Sequence, residues 1–278
     1  MKKLTIWTQK GGVGKSALTC QLAYVLRARE YRVLVIDLDS QGNASASLLR
    51  AERAVALDLS ASALIMNANP AIQVPDTQFA VVKADETLSK IPEKPADFSQ
   101  FAANLAANLE RLSPHFDVCI IDCPPSDDMR VLLALTCSDS VLSPIHLYQE
   151  SMEGVYRTLN GRRGVARVQK ASNPALRFLG ILPTMVEPIP IHRRNLMEVV
   201  KHFGNYLVRS EDGVPLRLLK RSAVAEAQEL GVPLWELGRQ KTAAREAWAD
   251  TKPVFDRLAH LVMEPSEQPE QAEATRGA

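Results

Sequence analysis

The residues best suited to chemistry form one short run near the start of the chain, Lys10-Gly11-Gly12-Val13-Gly14-Lys15-Ser16. Glycines let successive backbone N–H groups turn toward one anion, and a helix that starts beside them adds the positive end of its dipole. The Lys-Ser pair supplies an ammonium group for β- and γ-phosphates and a hydroxyl for Mg²⁺. The run departs from the usual G-x-x-x-x-G-K-S/T loop at its first position, which is Gln9. The pattern predicts a nucleoside triphosphate site whose contacts are Gly11, Gly12, Val13, Gly14, Lys15, Ser16 and Ala17.

Aspartates at the ends of two apolar strands extend this prediction. The strand predicted at 33–37 ends in Asp37 and is followed closely by Asp39, and the strand predicted at 118–122 ends in Asp122. The carboxyl ends of parallel strands lie at the edge of a sheet where ligands bind. An aspartate at such an end can hold a Mg²⁺-bound water, although it can also cap the next helix. Ser16 and Asp122 are therefore predicted Mg²⁺ ligands.

The hydrophobic pattern predicts the elements that must position these residues. Continuous apolar runs predict strands at 4–7, 33–37, 118–122, 141–145 and 178–182. Helical spacing predicts helices at 16–29, 98–112, 193–203, 223–230 and 243–262, the last of them broken near Pro253. Residues 50–95 contain four prolines and are predicted to form irregular connections. The alternation of buried strands with helices predicts an α/β protein with a mostly parallel, twisted sheet covered by helices on both faces.

The composition narrows the class of protein. Hydrophobic residues make up 46% of the 278 residues and charged residues 23%, which is typical of a globular protein. The four cysteines form no C-x-x-C pair, which argues against a disulfide framework and against a zinc or iron–sulfur site. No apolar run reaches about 18 residues and the N-terminal one is too short for a signal peptide, so we expect a cytoplasmic protein. We expect one domain over residues 1–262 and a disordered acidic tail over 263–278.

Several motifs resemble those of the ParA/MinD family of P-loop ATPases. The glycine-rich run resembles the family's deviant Walker A loop, K-G-G-x-G-K-S/T, whose mark is the additional lysine, here Lys10. Residues 37–43 resemble the D-x-D-P-Q-G-N switch I, with Ser40 in place of proline, and residues 118–125 resemble the I-I-D-x-P-P switch II. Residues 215–233 resemble the late I-P-…-S-x-x-x-E-A-x-x-x-G-x-P motif. The resemblance therefore extends over nearly the whole chain.

The resemblance implies a fold, a reaction and residue roles. It implies a P-loop NTPase that hydrolyses ATP with Mg²⁺, in which Lys10, Lys15 and Asp39 are catalytic residues. Lys10 would contact the nucleotide of a second subunit, so that ATP drives formation of a homodimer. Asp39 would position the attacking water and join the Mg²⁺ ligands, with Asp37 as a supporting residue. Pro183 and Pro215 would border the adenine.

One family position stays open in this sequence. Many relatives carry a glutamate near the signature lysine, after the strand that corresponds to 141–145. Tyr148 stands at that position here. Either Glu150 takes over the contact or the contact is absent.

The distribution of charge along the chain indicates which kind of partner the protein binds. Residues 157–221 hold 13 Lys and Arg residues against 4 Asp and Glu residues, a net charge of +9 in a chain of net charge +1. Such a stretch predicts a basic face that contacts DNA phosphates, with ordinary solvated helix faces as the alternative. The acidic, proline-interrupted C-terminal residues argue against a membrane-binding helix. The candidates for non-specific DNA contact are Arg193, Arg194, Lys201, Arg217, Lys220 and Arg221.

The leading hypothesis is a partition ATPase, most similar to ParA-type proteins without an N-terminal DNA-binding domain. It would dimerise with ATP, bind nucleoid DNA without sequence preference, and segregate a plasmid or chromosome with a ParB-like activator. One alternative is an ATPase with the same cycle that positions a protein cargo, such as a microcompartment or a chemoreceptor cluster. The other is a metabolic ATP-dependent enzyme on the same fold, such as a ligase, which Lys10 and the Glu226-Ala227 motif do not support.

Overall fold

A seven-stranded parallel sheet forms the centre of this computed structural model, which describes residues 1–91, 95–148, 151–161 and 163–264. The strands lie in the order β3-β4-β2-β5-β1-β6-β7, and every neighbouring pair runs parallel. They are β1 Lys2–Ile6, β2 Val33–Asp37, β3 Val55–Ser60, β4 Phe79–Lys83, β5 Val118–Asp122, β6 Ser140–His146 and β7 Arg177–Thr184.

The strand order brings the predicted carboxylates together. β2 and β5 are neighbours at the centre of the sheet, and every residue of both strands is buried. Their register places Asp37 opposite Asp122, and Ile6 of β1 lies opposite Asp122 on the other side. Because all three strands point the same way, the loops that follow them leave from one edge of the sheet.

Helices cover both faces of the sheet. They are α1 Lys15–Ala28, α2 Asn43–Arg50, α3 Ala61–Met66, α4 Pro95–Leu112, α5 Met129–Cys137, α6 Ser151–Asn160, α7 Val165–Ala171, α8 Pro190–Phe203, α9 Ser222–Leu230, α10 Leu234–Leu237 and α11 Thr242–Met263. Leu34 and Ile36 of β2 pack in the core shared with α3, α4, α5 and α7. Val33 and Val35 pack in the opposite core, with α1, α2 and α11. This alternation confirms the predicted α/β class with both faces of a parallel sheet covered.

The prediction of irregular structure over residues 50–95 is wrong. These residues include β3, α3, β4 and a 3₁₀ turn at Glu86–Lys90. Pro70 and Pro75 lie in the connection between α3 and β4, so that neither proline interrupts a strand. The four residues from Phe79 to Val82 are buried against β2 and extend the sheet. The edge strand β3 has only two buried residues, Leu57 and Leu59, which explains its weak signal in the sequence.

The closing helix is continuous, contrary to the predicted break near Pro253. α11 passes through Pro253 without interruption. A proline removes only one hydrogen-bond donor, and Val254, Phe255 and Leu258 stay buried in the core with α1. The helix ends at Met263, and Glu264 pairs with Arg177 at 3.4 Å. Of the predicted tail, residues 265–278 lie outside the described residues.

Candidate functional site

The glycine-rich loop joins β1 to α1 in a conformation that only glycine adopts readily. Gly12 and Gly14 have φ angles of 72° and 82°, in the left-handed region. A Cβ atom at either position would meet nothing within 4 Å, so the backbone conformation, rather than lack of space, accounts for glycine there. The Gly14 carbonyl accepts the first hydrogen bond of α1, from Leu18. The loop therefore ends at the N-terminus of a 14-residue helix, as anion binding requires.

Lys15 lies inside this loop. Its side chain is buried, and Nζ donates to the carbonyl of Lys10 at 3.2 Å. Burial lowers the pKa of Lys15, against the opposing attraction of Asp122 and Asp39. A phosphate in the loop would supply the negative charge that a buried ammonium group lacks.

Asp122 and Ser16 are two of the three predicted Mg²⁺ ligands, and the third, Asp39, lines the same cavity as Ser16. The Ser16 hydroxyl donates to Asp122 at 2.7 Å, and Thr19 donates to the other carboxylate oxygen at 3.0 Å. Burial, followed by repulsion from Asp37, raises the pKa of the fully buried Asp122 to about 7. A divalent cation would stabilise this carboxylate, and a hydroxyl beside a carboxylate suits Mg²⁺, which prefers oxygen ligands. The residues present therefore fit Mg²⁺.

Asp37 and Asp39 differ sharply in their surroundings. Asp37 is fully buried and accepts hydrogen bonds from the Ser45 amide at 2.8 Å, the Ser45 hydroxyl at 2.8 Å and the Asp39 amide at 3.1 Å. Asp39 is half-buried, accepts one hydrogen bond from the Gln41 amide at 3.0 Å and lines a cavity beside the glycine-rich loop. Asp37 thus holds the start of α2, whereas the Asp39 carboxylate faces the space where phosphates would lie.

Two adjoining cavities meet at the loop. The first, which we call the loop cavity, has a volume of about 550 Å³ and is lined by Lys15, Ser16 and Asp39. The second, which we call the apolar cavity, measures about 300 Å³. Both cavities share Gly12, Gly14, Ala17, Ala225 and Gln228. The apolar side chains and backbone segments around the second cavity come from Val13, Leu18, Met185, Leu218, Leu219, Val224 and Phe255. A polar cavity at a helix N-terminus beside an apolar one suits a nucleotide, with phosphates in the first and the base in the second.

Most of the predicted nucleotide contacts line these cavities, and three do not. Gly11, Gly12, Gly14, Lys15, Ser16 and Ala17 line the loop cavity, and Val13 lines the apolar cavity. Lys10, Pro183 and Pro215 line neither. The Pro183 carbonyl instead accepts a hydrogen bond from Leu218, and Pro215 pairs with Arg209. The two prolines therefore hold the segment that presents Leu218 and Leu219 to the apolar cavity. Sequence reasoning missed Met185, which follows the carboxyl end of β7.

Comparisons with known proteins agree with this geometry. A family model described as an AAA domain matches residues 1–178. Protein IncC of Escherichia coli is 33% identical over 262 residues, which are 92% of this chain and 68% of that protein. Chromosome partitioning protein ParA of Caulobacter vibrioides is 31% identical over 246 residues, 84% of this chain and 86% of that protein. The chain belongs to the ParA/MinD family. It is an ATPase of the partition type, and its ligands are ATP and Mg²⁺.

Solved structures share the fold. Apo McdA of Cyanothece has a TM-score of 0.73 at 22% identity, over 94% of this chain and 99% of that one. A Mycobacterium smegmatis protein named cobyrinic acid a,c-diamide synthase, with a bound ATP analogue and magnesium, has a TM-score of 0.64 at 26% identity. That match covers 83% of this chain and 93% of the other. The ParA/MinD fold predicted from the motifs is thus confirmed.

The ParA/MinD signature lysine lies on the outside of its own site. Lys10 is exposed, while its carbonyl is held by Lys15 inside the loop. Burial, then repulsion from His192 and from Lys10, lowers the pKa of His146 at the end of β6. The rings of His146 and Tyr148 are 4.2 Å apart there, and Tyr148 and His192 are 5.0 Å apart. Tyr148 therefore occupies the family's acidic position with an aromatic cluster. Residue 150, the other candidate, lies outside the described residues.

The predicted DNA contacts fall into two groups. Arg193, Arg194 and Lys201 on α8 and Arg217 beyond it are exposed. The remaining two form ion pairs, Lys220 with Glu187 at 3.3 Å and Arg221 with Asp250. We call Arg193, Arg194, Lys201 and Arg217 the exposed basic group. These four side chains form no ion pair within the described residues, so they can contact DNA phosphates without first breaking one. No described helix is long and apolar enough to cross a membrane.

Proposed function

We propose that ATP joins two copies of this chain into a dimer that binds DNA without reading its sequence, and that a ParB-like partner stimulates hydrolysis and release. The position of Lys10 carries this proposal. It lies exposed outside the loop cavity, whereas Lys15 and Ser16 line that cavity. A cation that does not face its own phosphate site is placed to contact the nucleotide of a second subunit. Dimerisation would then depend on the γ-phosphate, and DNA binding would locate the protein at the nucleoid.

Within each subunit, the described residues suit in-line phosphoryl transfer to water. Lys15 neutralises the β- and γ-phosphate oxygens, and Ser16 and Asp122 would hold Mg²⁺. Bound Mg²⁺ supplies positive charge that offsets the charge developing on the phosphate oxygens. Asp39 lines the same cavity with a half-buried carboxylate, which suits it to accept a hydrogen bond from the attacking water and so orient it.

DNA binding is proposed to use the exposed basic group. Arg193, Arg194, Lys201 and Arg217 present four cations per subunit and hence eight per dimer. If all eight contact phosphates, the logarithm of the binding constant falls with the logarithm of salt concentration at a slope of about −7. Contacts of this kind carry no base specificity, which agrees with a protein that binds bulk DNA.

The decisive experiment measures binding to a random-sequence DNA duplex over a range of salt concentrations with ATP, with ADP and without nucleotide. We expect binding only with ATP, together with a doubling of mass in light scattering. The double change Arg193→Ala/Arg194→Ala should reduce the salt slope from about −7 to about −4, because four of eight contacts are lost. Lys10→Ala should abolish both the dimer and DNA binding.

Two variants that remove an exposed residue of the same type serve as matched controls. Arg167→Ala removes an exposed arginine of α7 from the same basic stretch, and Lys90→Ala removes an exposed lysine away from the loop. Both variants should behave as the wild type. DNA binding of equal strength with ATP, with ADP and without nucleotide would refute the proposed cycle. An ATP-dependent dimer that binds no DNA would refute the DNA-binding part of the proposal.

A further inference from the structure

Arg130 links the loop between β5 and α5 to the loop that follows β2, beside the loop cavity. The side chain of Arg130 is only 14% exposed, and Asp128, its ion-pair partner, is 15% exposed. Arg130 Nε donates to both oxygens of Asp128 at 3.1 Å, and Nη2 donates to the same carboxylate. The remaining nitrogen, Nη1, donates to the carbonyl of Leu38 at 3.5 Å. One guanidinium group thus joins the loop after β5 to the loop after β2.

Leu38 is the residue between the two aspartates of the ParA/MinD switch I. Its amide donates to the carbonyl of Asp122 at 2.9 Å, and its carbonyl accepts from Arg130. The peptide groups on both sides of Leu38 are therefore held by the segment that begins with the predicted Mg²⁺ ligand. The next residue is Asp39, whose own carboxylate makes one hydrogen bond, to the amide of Gln41.

The other end of this connection is held by several hydrogen bonds. Asp128 caps α5 by accepting from the Arg130 amide at 2.9 Å, and it accepts from the Ser126 hydroxyl at 3.0 Å. The Ser126 carbonyl accepts from the indole of Trp7 at 2.7 Å, and Trp7 is fully buried at the start of the glycine-rich loop. Loss of the Arg130 side chain would leave the Ser126–Trp7 contact in place and would remove the hydrogen bond to the Leu38 carbonyl.

We propose that Arg130 is a positioning residue for hydrolysis, which holds the Leu38 carbonyl and thereby sets the Asp39 carboxylate in register with Asp122. This rests on the proposed role of Asp39 in orienting water. Arginine suits the task because its planar fork reaches two acceptors at once, a carboxylate and a carbonyl, which a lysine ammonium does not bridge in the same way. Small displacements of an orienting group reduce turnover strongly while leaving substrate binding intact.

The test compares Arg130→Ala and Arg130→Lys with Arg163→Ala. Arg163 is 22% exposed and donates hydrogen bonds to Asp127 of the same loop. Its hydrogen bonds within the described part of the chain do not include Leu38, so Arg163→Ala controls for a general loosening of the loop. ATP turnover without DNA gives kcat and KM, and thermal unfolding reports the fold. We expect Arg130→Ala to lower kcat about tenfold or more with KM within about twofold. Arg130→Lys should keep the pair with Asp128 and the unfolding temperature, yet also lose kcat. Arg163→Ala should keep kcat within about twofold.

A double variant identifies the route of the effect. If Arg130 acts through Asp39, then Arg130→Ala in an Asp39→Ala background should lower kcat no further. Independent, multiplying losses would overturn the proposal, as would full activity in Arg130→Lys or an equal loss in Arg163→Ala. Should Arg130→Ala fail to fold, the lysine variant decides. DNA binding in the ATP state is measured separately, so the failure of this inference is distinguishable from failure of the proposed cycle.

Discussion

Asp37 and Asp39 leave the same strand two residues apart, and their contacts predict opposite consequences of mutation. Asp37→Ala removes the acceptor of three hydrogen bonds from buried donors of Ser45 and Asp39. Hydrogen bonds to a charged group contribute about 1.5–3 kcal/mol each. Burial raises the pKa of Asp37, which shows that desolvation offsets part of that gain. A net loss of about 3 kcal/mol in the free energy of unfolding follows, or roughly 6–10 °C in the unfolding temperature.

Asp39→Ala is the matched control, since it removes a carboxylate from the same segment. Asp39 is half-buried and accepts one backbone hydrogen bond, so we expect the free energy of unfolding to fall by less than about 1 kcal/mol, together with a large but measurable fall in turnover. Urea and thermal unfolding of both nucleotide-free variants measure the difference. Equal losses of stability would refute the division into a structural and a catalytic aspartate. So would an Asp37→Ala variant that unfolds at the wild-type temperature.

Two further predictions concern groups at the loop cavity. Because burial raises the pKa of Asp122 to about 7, the folded apo protein retains a proton that the unfolded chain releases near pH 4. The stability contributed by this carboxyl is full below pH 4 and is lost as the pH rises to about 7. Asp122→Asn should remove this loss, so its unfolding midpoint should fall less between pH 5 and pH 8 than that of the wild type. An equal fall in the two proteins would contradict the prediction. Gly14→Ala, at a φ of 82°, should weaken ATP binding and destabilise the loop by about 1–2 kcal/mol, whereas Gly154→Ala within α6 should not, as nucleotide titrations would show.

The extent to which sequence predicts this fold depends on burial on both sides of each strand. β2 and β5 are buried along their whole length, and their continuous apolar runs gave the correct bounds. β3 lies at the edge of the sheet with only two buried residues, and β4 follows a connection that contains Pro70 and Pro75. Local signals for both were weaker than the proline signals around them, and β4 is stabilised as a strand by pairing with β2 on one side and β3 on the other.

The parts of the candidate site that lie at the ends of neighbouring strands could be predicted from the sequence. The Lys15-Ser16 pair and Asp122 follow strands that are neighbours in the sheet, so motif spacing alone places them together. The apolar cavity is different, because its lining comes from β7, α1, α9, α11 and the segment before α9. Pro183 and Pro215 were predicted there by resemblance; neither lines the apolar cavity, and both take part in backbone pairing of the segment beside it. Contacts among elements so far apart in sequence leave no local pattern.

The two basic groups differ in how a bound nucleotide can control them. Lys220 and Arg221 line the apolar cavity, so a base there would contact the segment that carries them and their pairs with Glu187 and Asp250. Arg193 and Arg194 on α8 line neither cavity. ATP can therefore act on those two arginines only through a change elsewhere in the protein. In the proposed dimer their number would double, and DNA affinity would rise steeply because each further phosphate contact adds to the binding free energy. If α8 binds DNA as proposed, the nucleotide dependence of that binding would come from dimerisation, whereas Lys220 and Arg221 line a cavity of their own subunit.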